Sequence, residues 1–292
     1  MIDLHIHSTH SDGTDTTIEL LKKAEKLGLE IISITDHDKV DAHLELENVN
    51  ITDYYNGILI KGVEFKSVYK SVPIEILAYG IDARKIKKTI IDKMKSQDKK
   101  QEKKLAHLKR IGKSIGLKFD DNIQIDEEHI YASLTFSREI FKYAENTKIM
   151  QKYDLGTDET LFYRKAQSNP NSVFYVDESE EVIPPEQIIK EIHNAGGFAF
   201  MAHPLLYPFK NKFETIEEFV KEHSIDGLEC YYPLFSAEER EKLVEICRKY
   251  NLYKSGGSDY HGLNKPGINM GTGKDNLNIS RELVNDWIRK LI

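Results

Sequence analysis

Cysteine is scarce in this 292-residue chain, where Cys230 and Cys247 are the only two, so a disulfide framework is excluded and a cytoplasmic location is expected. No apolar run approaches the roughly 18 residues that a membrane span needs, and no charged-then-apolar signal segment opens the chain. Acidic residues outnumber basic ones, and the resulting net charge of −7 argues against non-specific binding to duplex nucleic acid. With 40% apolar and 30% charged residues, the composition is typical of a soluble globular protein rather than a disordered one. At 292 residues, the chain can form one large α/β domain or one domain with an insertion.

Histidine, by contrast, is placed in a pattern. Apolar and polar side chains alternate over residues 2–7, which is the period of a half-buried strand, so His5 and His7 point to the same face. Imidazoles at this spacing can hold a divalent metal, although an isolated His-x-His more often marks two strand histidines without a ligand. The turn at 11–13 then brings the Asp12 carboxylate to the same strand end.

The rest of the chain alternates between strand and helix patterns. A capping box of Thr16 and Glu19 predicts a helix that ends at Gly28, and two prolines at 184–185 predict the start of another. Amphipathic patterns predict two further helices, at 237–250 and 281–291. Apolar, β-branched runs predict six more strands, at 31–35, 58–65, 72–81, 198–202, 227–230 and 253–256. This alternation favours an α/β fold with a largely parallel sheet.

Residues 83–170 differ in character from the rest of the chain. The stretch 87–113 holds eleven Lys/Arg against three acidic residues, with an apolar stripe at helical spacing, and the pattern stays helical to 166. No low-complexity linker and no internal repeat bounds it. A helical insertion into one domain is therefore expected, rather than an independent domain.

Side chains suited to metal binding recur where the predicted strands end: His5, His7, Asp12, His37, Glu64, His203, Asp259 and His261. In a closed α/β barrel the loops after the strands converge on one face, so this topology would bring together residues that are spread along most of the chain. Eight such groups exceed what one ion needs. They suit a cluster of two or three ions, which is a common device for phosphoryl transfer.

Six motifs, taken in chain order, resemble those of the polymerase and histidinol phosphatase (PHP) family: His5-Ile6-His7, Ser11-Asp12-Gly13-Thr14, Thr35-Asp36-His37-Asp38, Gly62-Val63-Glu64, Ala202-His203-Pro204 and Gly257-Ser258-Asp259-Tyr260-His261-Gly262. The resemblance runs to about residue 275 and is to stand-alone phosphoesterases of 3′,5′-nucleoside bisphosphates and short RNA. It implies a distorted (β/α)7 barrel formed by residues 1–82 and 171–292. Residues 83–170 would then be a helical insertion that acts as a lid or substrate subdomain.

The resemblance also implies two or three divalent ions (Mn, Fe, Zn or Mg) and a role for each ligand. His5 and His7 would bind one ion with Asp259, and Glu64 would bridge it to a second ion held by His203. Asp12, His37 and His261 would hold the third. Asp38, beside the ligand His37, is expected to orient that ligand or relay a proton.

Two positions depart from the family pattern. Family members usually carry a histidine where this chain has Glu75. Glu75 either ligates, which would favour Mn or Mg over Zn, or turns away and leaves that ion weakly held. Relatives also commonly carry an Arg-Pro-His element where residues 133–138 read SLTFSR, so the substrate phosphate must be held differently. Arg138 and the basic helix around Lys103, Lys104 and Lys109 are candidates, although that helix can equally be a solvated face.

Together these features predict a hydrolase of phosphoester bonds, in which a metal-activated hydroxide attacks phosphorus in line near His37, His203, Asp38 and Arg138. A nucleotide or short oligonucleotide is the expected substrate, because the insertion could cover something larger than the metal site. A phosphatase of histidinol phosphate or phosphotyrosine, or a metal-binding module without catalysis, stays open. An amidohydrolase is disfavoured, because Glu64 stands where such enzymes typically carry a carbamylated lysine. No membrane or duplex nucleic acid partner is expected.

The other histidines and the two cysteines have simpler interpretations. His10 is expected at the rim of the site, and Cys230 and Cys247 as core thiols. Five histidines in charged, helical settings are expected to be solvated: His43, His107, His129, His193 and His223.

Overall fold

The computed structural model describes residues 1–93, 97–125, 132–175 and 182–291. Its sheet contains seven strands in chain order, each paired with the next: β1 (Ile2–Ile6), β2 (Ile31–Ile34), β3 (Ile58–Tyr69), β4 (Val72–Tyr79), β5 (Phe198–Met201), β6 (Gly227–Tyr231) and β7 (Tyr253–Gly256). All pairs are parallel except those that β4 makes with β3 and β5, which are antiparallel. The expected α/β barrel of seven strands is confirmed.

The barrel closes where β1 meets the segment that follows β7. The Asp259 N–H donates to the His5 carbonyl oxygen at 2.9 Å, and the His7 N–H donates to the Tyr260 carbonyl oxygen at 2.8 Å. The approach is close, because a Cβ at Gly257 would lie 2.5 Å from the His5 nitrogen. Only glycine fits there, and the fit brings the first and last motifs of the chain side by side.

Helices surround the sheet, and their ends follow the capping signals of the sequence. Thr16 and Glu19 form the expected capping box, and Gly28 ends that helix with φ +64°. The helices of the described residues are α1 (Thr17–Leu27), α2 (Asp41–Leu46), α3 (Ala83–Thr89), α4 (Gln97–Ile115), α5 (Ala132–Phe141), α6 (Thr147–Lys152), α7 (Glu159–Phe162), α8 (Pro185–Asn194), α9 (Lys212–Glu222), α10 (Ala237–Tyr250) and α11 (Asn285–Ile288), with a π-helical turn at Tyr163–Gln167 after α7. None of them is long and apolar enough to span a membrane.

One end of the barrel is plugged by apolar side chains. Trp287 on α11 is fully buried, stacks on Tyr79 with ring centroids 5.4 Å apart, and donates its indole N–H to the Lys254 carbonyl oxygen. These partners lie where the parallel strands begin, so the opposite face, where those strands end, is the open one. Residues 281–291 were expected to form one helix. They form a 3₁₀ turn at Arg281–Val284 and then α11, a break that turns Trp287 into the barrel.

Residues between β4 and β5 build a hydrophobic cluster of their own. Phe136 on α5 is fully buried, with its ring centroid 5.3 Å from that of Phe119, 6.0 Å from Phe162 and 5.9 Å from Phe174. This cluster is distinct from the three that the barrel residues form. It includes Phe174, beyond the expected boundary at 170, whereas Ala83 and Ile86 of α3 pack in a barrel cluster. The boundaries at 82 and 170 stay a prediction, as does the role of a lid.

Two local expectations differ from the structure. Strand β3 continues past 65 to Tyr69, because it forms a hairpin with β4 through a two-residue turn at Lys70 and Ser71, both with positive φ. Among the histidines expected to be solvated, His43 is instead 2% exposed, and its Nε2 lies 2.8 Å from the Ile34 carbonyl oxygen. His129 lies outside the described residues.

Candidate metal centre

The open face of the barrel gathers the side chains that the sequence picked out. His5 and His7 lie on and just after β1, His37 follows β2 and His203 follows β5. Asp259 and His261 follow β7. Glu64 lies within β3 rather than at its end, and Glu75 lies within β4. All the predicted ligands except His37 and Asp12 are buried, and those two are half-buried.

The Glu64 carboxylate lies at the centre of this group. Its Oε2 is 3.2 Å from His5 Nε2, 3.3 Å from His7 Nε2 and 3.1 Å from His37 Nδ1. Its Oε1 is 3.1 Å from His203 Nε2. A carboxylate whose two oxygens face different imidazoles is placed to bridge two ions.

The remaining acids face the same histidines from other sides. Asp259 Oδ1 lies 3.4 Å from His7 Nε2 and 3.6 Å from His5 Nε2. Asp12 lies 3.3 Å from His261 Nε2 and 3.6 Å from His37 Nε2. Asp12 and His261 thus form, with His7 and His37, a second group of donors beside the first.

Glu75 points into the centre rather than away from it. Its carboxylate oxygens lie 3.3 Å from His203 Nε2 and 3.8 Å from His37 Nδ1. Glu75, His37 and Glu64 together offer three donor atoms within 4.8 Å of one another. Of the two alternatives for Glu75, the geometry favours the one in which it offers oxygen to an ion.

The donor atoms fit a metal centre better than they fit a hydrogen-bond network. Within the described part of the chain, buried atoms of four side chains make no hydrogen bond: His5 Nε2, both nitrogens of His7, Asp12 Oδ1 and Glu64 Oε2. Leaving buried polar atoms without partners is costly in a folded protein. Two ligands bound to one ion at about 2.0–2.2 Å lie about 3–3.5 Å apart, which matches most of these contacts. The residues therefore fit bound divalent metal ions.

The charges of the centre reinforce each other. Burial alone disfavours each charged form, but His261 and His37 hold the pKa of Asp12 well below its usual range. In the same way, against burial, Lys265 and His5 lower the pKa of Asp259. Burial also opposes the charged form of His5, yet carboxylates led by Glu64 raise the pKa of His5. Ionised carboxylates are the form that binds cations.

Two buried aspartates hold the loops that carry ligands. Asp36 accepts hydrogen bonds from the Ser8 N–H at 2.8 Å and from the Ser8 and Ser11 hydroxyls, which shapes the loop that bears Asp12. Asp3 accepts from the N–H and hydroxyl of Ser258, next to Asp259, at 2.8 and 2.6 Å. Backbone N–H groups and serine hydroxyls satisfy these acids, so they are not available to an ion.

A cavity of about 850 Å³, including its open mouth, lies over the centre. Predicted ligands form its floor, and residues of α5, α7 and the π-helical turn form part of its wall. Three cationic side chains also line it: Arg164 of that turn, Lys66 of β3 and Lys265 in the segment after β7. Lys265 bonds to Asp259, and Lys66 lies over the Tyr163 ring. Among the residues that the structure describes, none forms a hydrogen bond with the buried Nε of Arg164.

Three predicted residues lie at the edge of this arrangement. Arg138 donates to Glu159 at 3.2 Å and to Asn264 at 2.6 Å, so it contacts two residues of the cavity wall without lining the cavity itself. Asp38 accepts from the Lys66 N–H at 3.1 Å, and burial raises its pKa to about 6. His10 is paired with Glu45 at the surface.

Sequence reasoning missed Arg164, Lys265 and Glu229. Glu229 had a usable signal, because it is an acid within the apolar run of β6, as Glu64 is within β3. Lys265 follows the last motif by three residues and could have been weighed with it. Arg164 gave no signal, since it is one of many cations in a charged helical segment.

Comparison with known proteins gives a consistent result. The family profile described as "PHP domain" matches residues 3–238. A 5′-3′ exoribonuclease of Haemophilus influenzae is 27% identical, over 89% of each chain, and a 3′,5′-nucleoside bisphosphate phosphatase of Chromobacterium violaceum is 26% identical, over 94% of this chain and 92% of that one.

One further relative has a different named activity, and one further match is to a solved structure. A phosphoribosyl 1,2-cyclic phosphate 1,2-diphosphodiesterase of Eggerthella lenta is 24% identical, over 89% of this chain and 94% of that one. A solved structure from Bifidobacterium adolescentis, named as a metal-dependent phosphoesterase, has a TM-score of 0.69 at 22% identity and covers 99% of this chain and 96% of that one. At 22% identity, this match is evidence for the fold alone.

Proposed function

Because this chain belongs to the PHP family and is a metal-dependent phosphoesterase, we propose that it acts on a nucleotide, either a 3′,5′-nucleoside bisphosphate or the 5′ end of a short RNA. One observation carries the hydrolytic part of the proposal. A buried carboxylate, Glu64, faces four imidazoles at 3.1–3.3 Å on the floor of a cavity that has cations in its wall. The names of the bisphosphatase and exoribonuclease relatives support the nucleotide part.

The ligand assignment follows the contacts. We propose that His5, His7 and Asp259 hold one ion, that His203 and Glu75 hold a second, and that Asp12, His37 and His261 hold a third, with Glu64 between the first two. Divalent ions at such sites polarise the phosphoryl group and lower the pKa of bound water. Glu75 adds a carboxylate where the family usually has an imidazole, so we propose that Mn or Mg is favoured over Zn.

The chain's own cations would bind the remainder of the substrate. Arg164 reaches the cavity with its buried Nε unsatisfied, so an anionic group of the substrate would supply the missing acceptor. Lys66 and Lys265 add positive charge to the same wall. A substrate with a second phosphate would use both the metal centre and this wall, whereas a monophosphate would use one of them.

A panel assay tests the proposal directly. Phosphate release is measured from 3′,5′-bisphosphates, 5′-monophosphates, histidinol phosphate and phosphotyrosine, each with Mn, Mg, Zn and Fe. With the same metals, release of mononucleotides is measured from short 5′-phosphorylated RNA, and formation of the ring-opened monoester from a cyclic phosphate. We expect the bisphosphates or the RNA to give the highest kcat/KM with Mn or Mg. Glu64→Ala and Asp259→Ala should fold and be inactive. Near-normal turnover in both variants would overturn the metal assignment, and a preference for histidinol phosphate or phosphotyrosine would overturn the substrate class.

Substituting each of the two arginines near the cavity tests which of them binds the substrate's second phosphate. A charge-assisted hydrogen bond contributes about 1.5–3 kcal/mol, so Arg164→Ala should raise KM for bisphosphates about 10–100-fold and change KM for monophosphates less. Arg138→Ala should act in the same direction but more weakly, because its guanidinium is already bonded to Glu159 and Asn264. Steady-state kinetics on both substrate types provides the measurement. An unchanged KM for both types would remove that arginine from substrate binding.

A further inference from the structure

Glu229 is a fully buried acid next to the metal centre that belongs to none of the groups of donor atoms. It lies in the middle of β6, between β5 and β7. Its two oxygens contact two different predicted ligands. Oε1 lies 2.9 Å from His5 Nδ1, and Oε2 accepts the backbone N–H of His203 at 2.7 Å.

The first contact determines which nitrogen of His5 can bind an ion. A carboxylate only accepts hydrogen bonds, so His5 Nδ1 must carry a proton that it donates to Glu229. The lone pair of the neutral ring is then on Nε2, which makes no hydrogen bond and faces Glu64 and Asp259. Carboxylate–histidine pairs of this kind fix the orientation of a metal ligand.

The second contact holds a backbone that would otherwise relax. His203 has φ 23° and ψ 59°, a conformation that residues other than glycine adopt only when their surroundings impose it. The Glu229 carboxylate binds the N–H of this residue, and the Pro204 ring follows it. The imidazole of His203 is thereby directed at Glu64 and Glu75.

We infer that Glu229 is a positioning residue that sets one ligand of each of two ions, His5 by its tautomer and His203 by its backbone. The inference rests on the proposed metal centre, in which these two histidines belong to different ions. Because one side chain serves both, its alteration should weaken binding of the two ions together rather than of one alone.

The substitution Glu229→Gln tests this with little change in size. An amide cannot accept from both His5 Nδ1–H and the His203 N–H, because one of its two ends is a donor. We expect Co²⁺ titrated into the metal-free protein, followed by visible absorption and calorimetry, to bind about 10–100-fold more weakly at two sites. The matched control is Cys230→Ala, because Cys230 is the next residue of β6 and its Sγ contacts Cys247 Sγ at 3.6 Å, away from the centre. It should lower Tm and leave Co²⁺ affinity unchanged.

Three results would overturn the inference. Wild-type Co²⁺ affinity in Glu229→Gln would do so, as would an equal loss of affinity in Cys230→Ala. Nitrogen NMR of the unaltered, Zn²⁺-bound protein gives the third, independent of whether the variant folds: His5 should be protonated at Nδ1, and protonation at Nε2 would contradict the assignment. A wild-type protein that takes up no Co²⁺ would instead defeat the proposed function itself.

Discussion

At the scale of single residues, five of the buried acids around the centre divide into two kinds. Glu64, Glu75 and Asp259 direct oxygens at imidazoles around the cavity floor. The oxygens of Asp3 and Asp36 instead accept hydrogen bonds from backbone N–H groups and serine hydroxyls. Both kinds are equally buried, so exposure does not distinguish a ligand from a support. The partners do, because an acid whose oxygens already accept well-aligned hydrogen bonds has little left to offer a cation.

His43 gives a prediction at this scale, because burial lowers the pKa of this buried ring. In the unfolded chain a histidine takes up a proton near pH 6.5, whereas folded His43 takes it up only at lower pH. The contribution of His43 to stability is therefore present in full above about pH 7.5, begins to decline near the unfolded value, and is lost as pH falls to the lowered value of the folded protein. His43→Gln should cost about 1–3 kcal/mol at pH 8, because the bonds to the Ile34 and Gly62 carbonyls are weakened.

Urea unfolding at several pH values measures this effect. The difference in unfolding free energy between the wild type and His43→Gln should shrink as the pH is lowered from 7.5 to 5.5, because glutamine does not titrate. The sign of the effect follows because protonation of His43 is disfavoured in the folded state and unhindered in the unfolded state. Lower pH therefore favours unfolding of the wild type. A difference that stays constant over this range would mean that His43 keeps its ordinary pKa in the folded protein.

At the scale of elements, the insertion provides a test of its own. Phe136 on α5 is fully buried against aromatic rings of other segments, so Phe136→Ala should destabilise the insertion by about 3–5 kcal/mol. If the insertion covers the substrate, KM should rise while Co²⁺ affinity is unchanged, because the predicted ligands all belong to the barrel. Hydrogen exchange should show faster opening of the helices that pack around Phe136, α4, α5, α6 and α7, and no change in the barrel.

The control for this variant places a comparable loss in the barrel. Leu20→Ala on α1 removes a fully buried side chain of the barrel cluster that contains Ile6 and Ile34. It should lower the overall stability and leave KM at the wild-type value. A normal KM in Phe136→Ala, despite faster exchange of α5, would argue that the insertion does not contact the substrate.

The same contrast between barrel and insertion governs what the sequence could predict. Ligands such as His37 and His203 follow short strands, where the topology of a closed barrel dictates which face they occupy, so their convergence could be inferred. Arg164 could not be found this way, because its place depends on a π-helical turn whose pattern does not differ from an ordinary helix. Glu75 could be named but not oriented, since a side chain in an antiparallel strand can face either side of the sheet until the register is known.

At the scale of the whole molecule, the centre ties together strands that are remote in sequence. Donors come from β1, from the loops after β2, β5 and β7, and from the β3–β4 hairpin. Ions bound there stabilise the folded state alone, by about 2.7 kcal/mol when free metal is 100 times Kd. We therefore expect Tm to rise by several degrees with Mn²⁺ and to fall with EDTA in calorimetric scans.

Glu64→Ala serves as the comparison for this experiment, because it removes the carboxylate at the centre without touching the barrel's apolar clusters. Its Tm should respond weakly to Mn²⁺ or EDTA. Equal Tm values for the wild-type protein in Mn²⁺ and in EDTA would show that the clustered donors hold no ion tightly.

The way the barrel closes determines when, during synthesis on the ribosome, the donor residues can come together. Asp259 and His261 meet His5 and His7 through a seam that pairs the start of the chain with a segment made about 250 residues later. At about 5–20 residues per second, a nascent polypeptide spends many seconds with its first histidines exposed and their counterparts not yet synthesised. An incomplete translation product would thus lack part of the proposed metal centre, which would be complete only after β7 and the segment that follows it have been made.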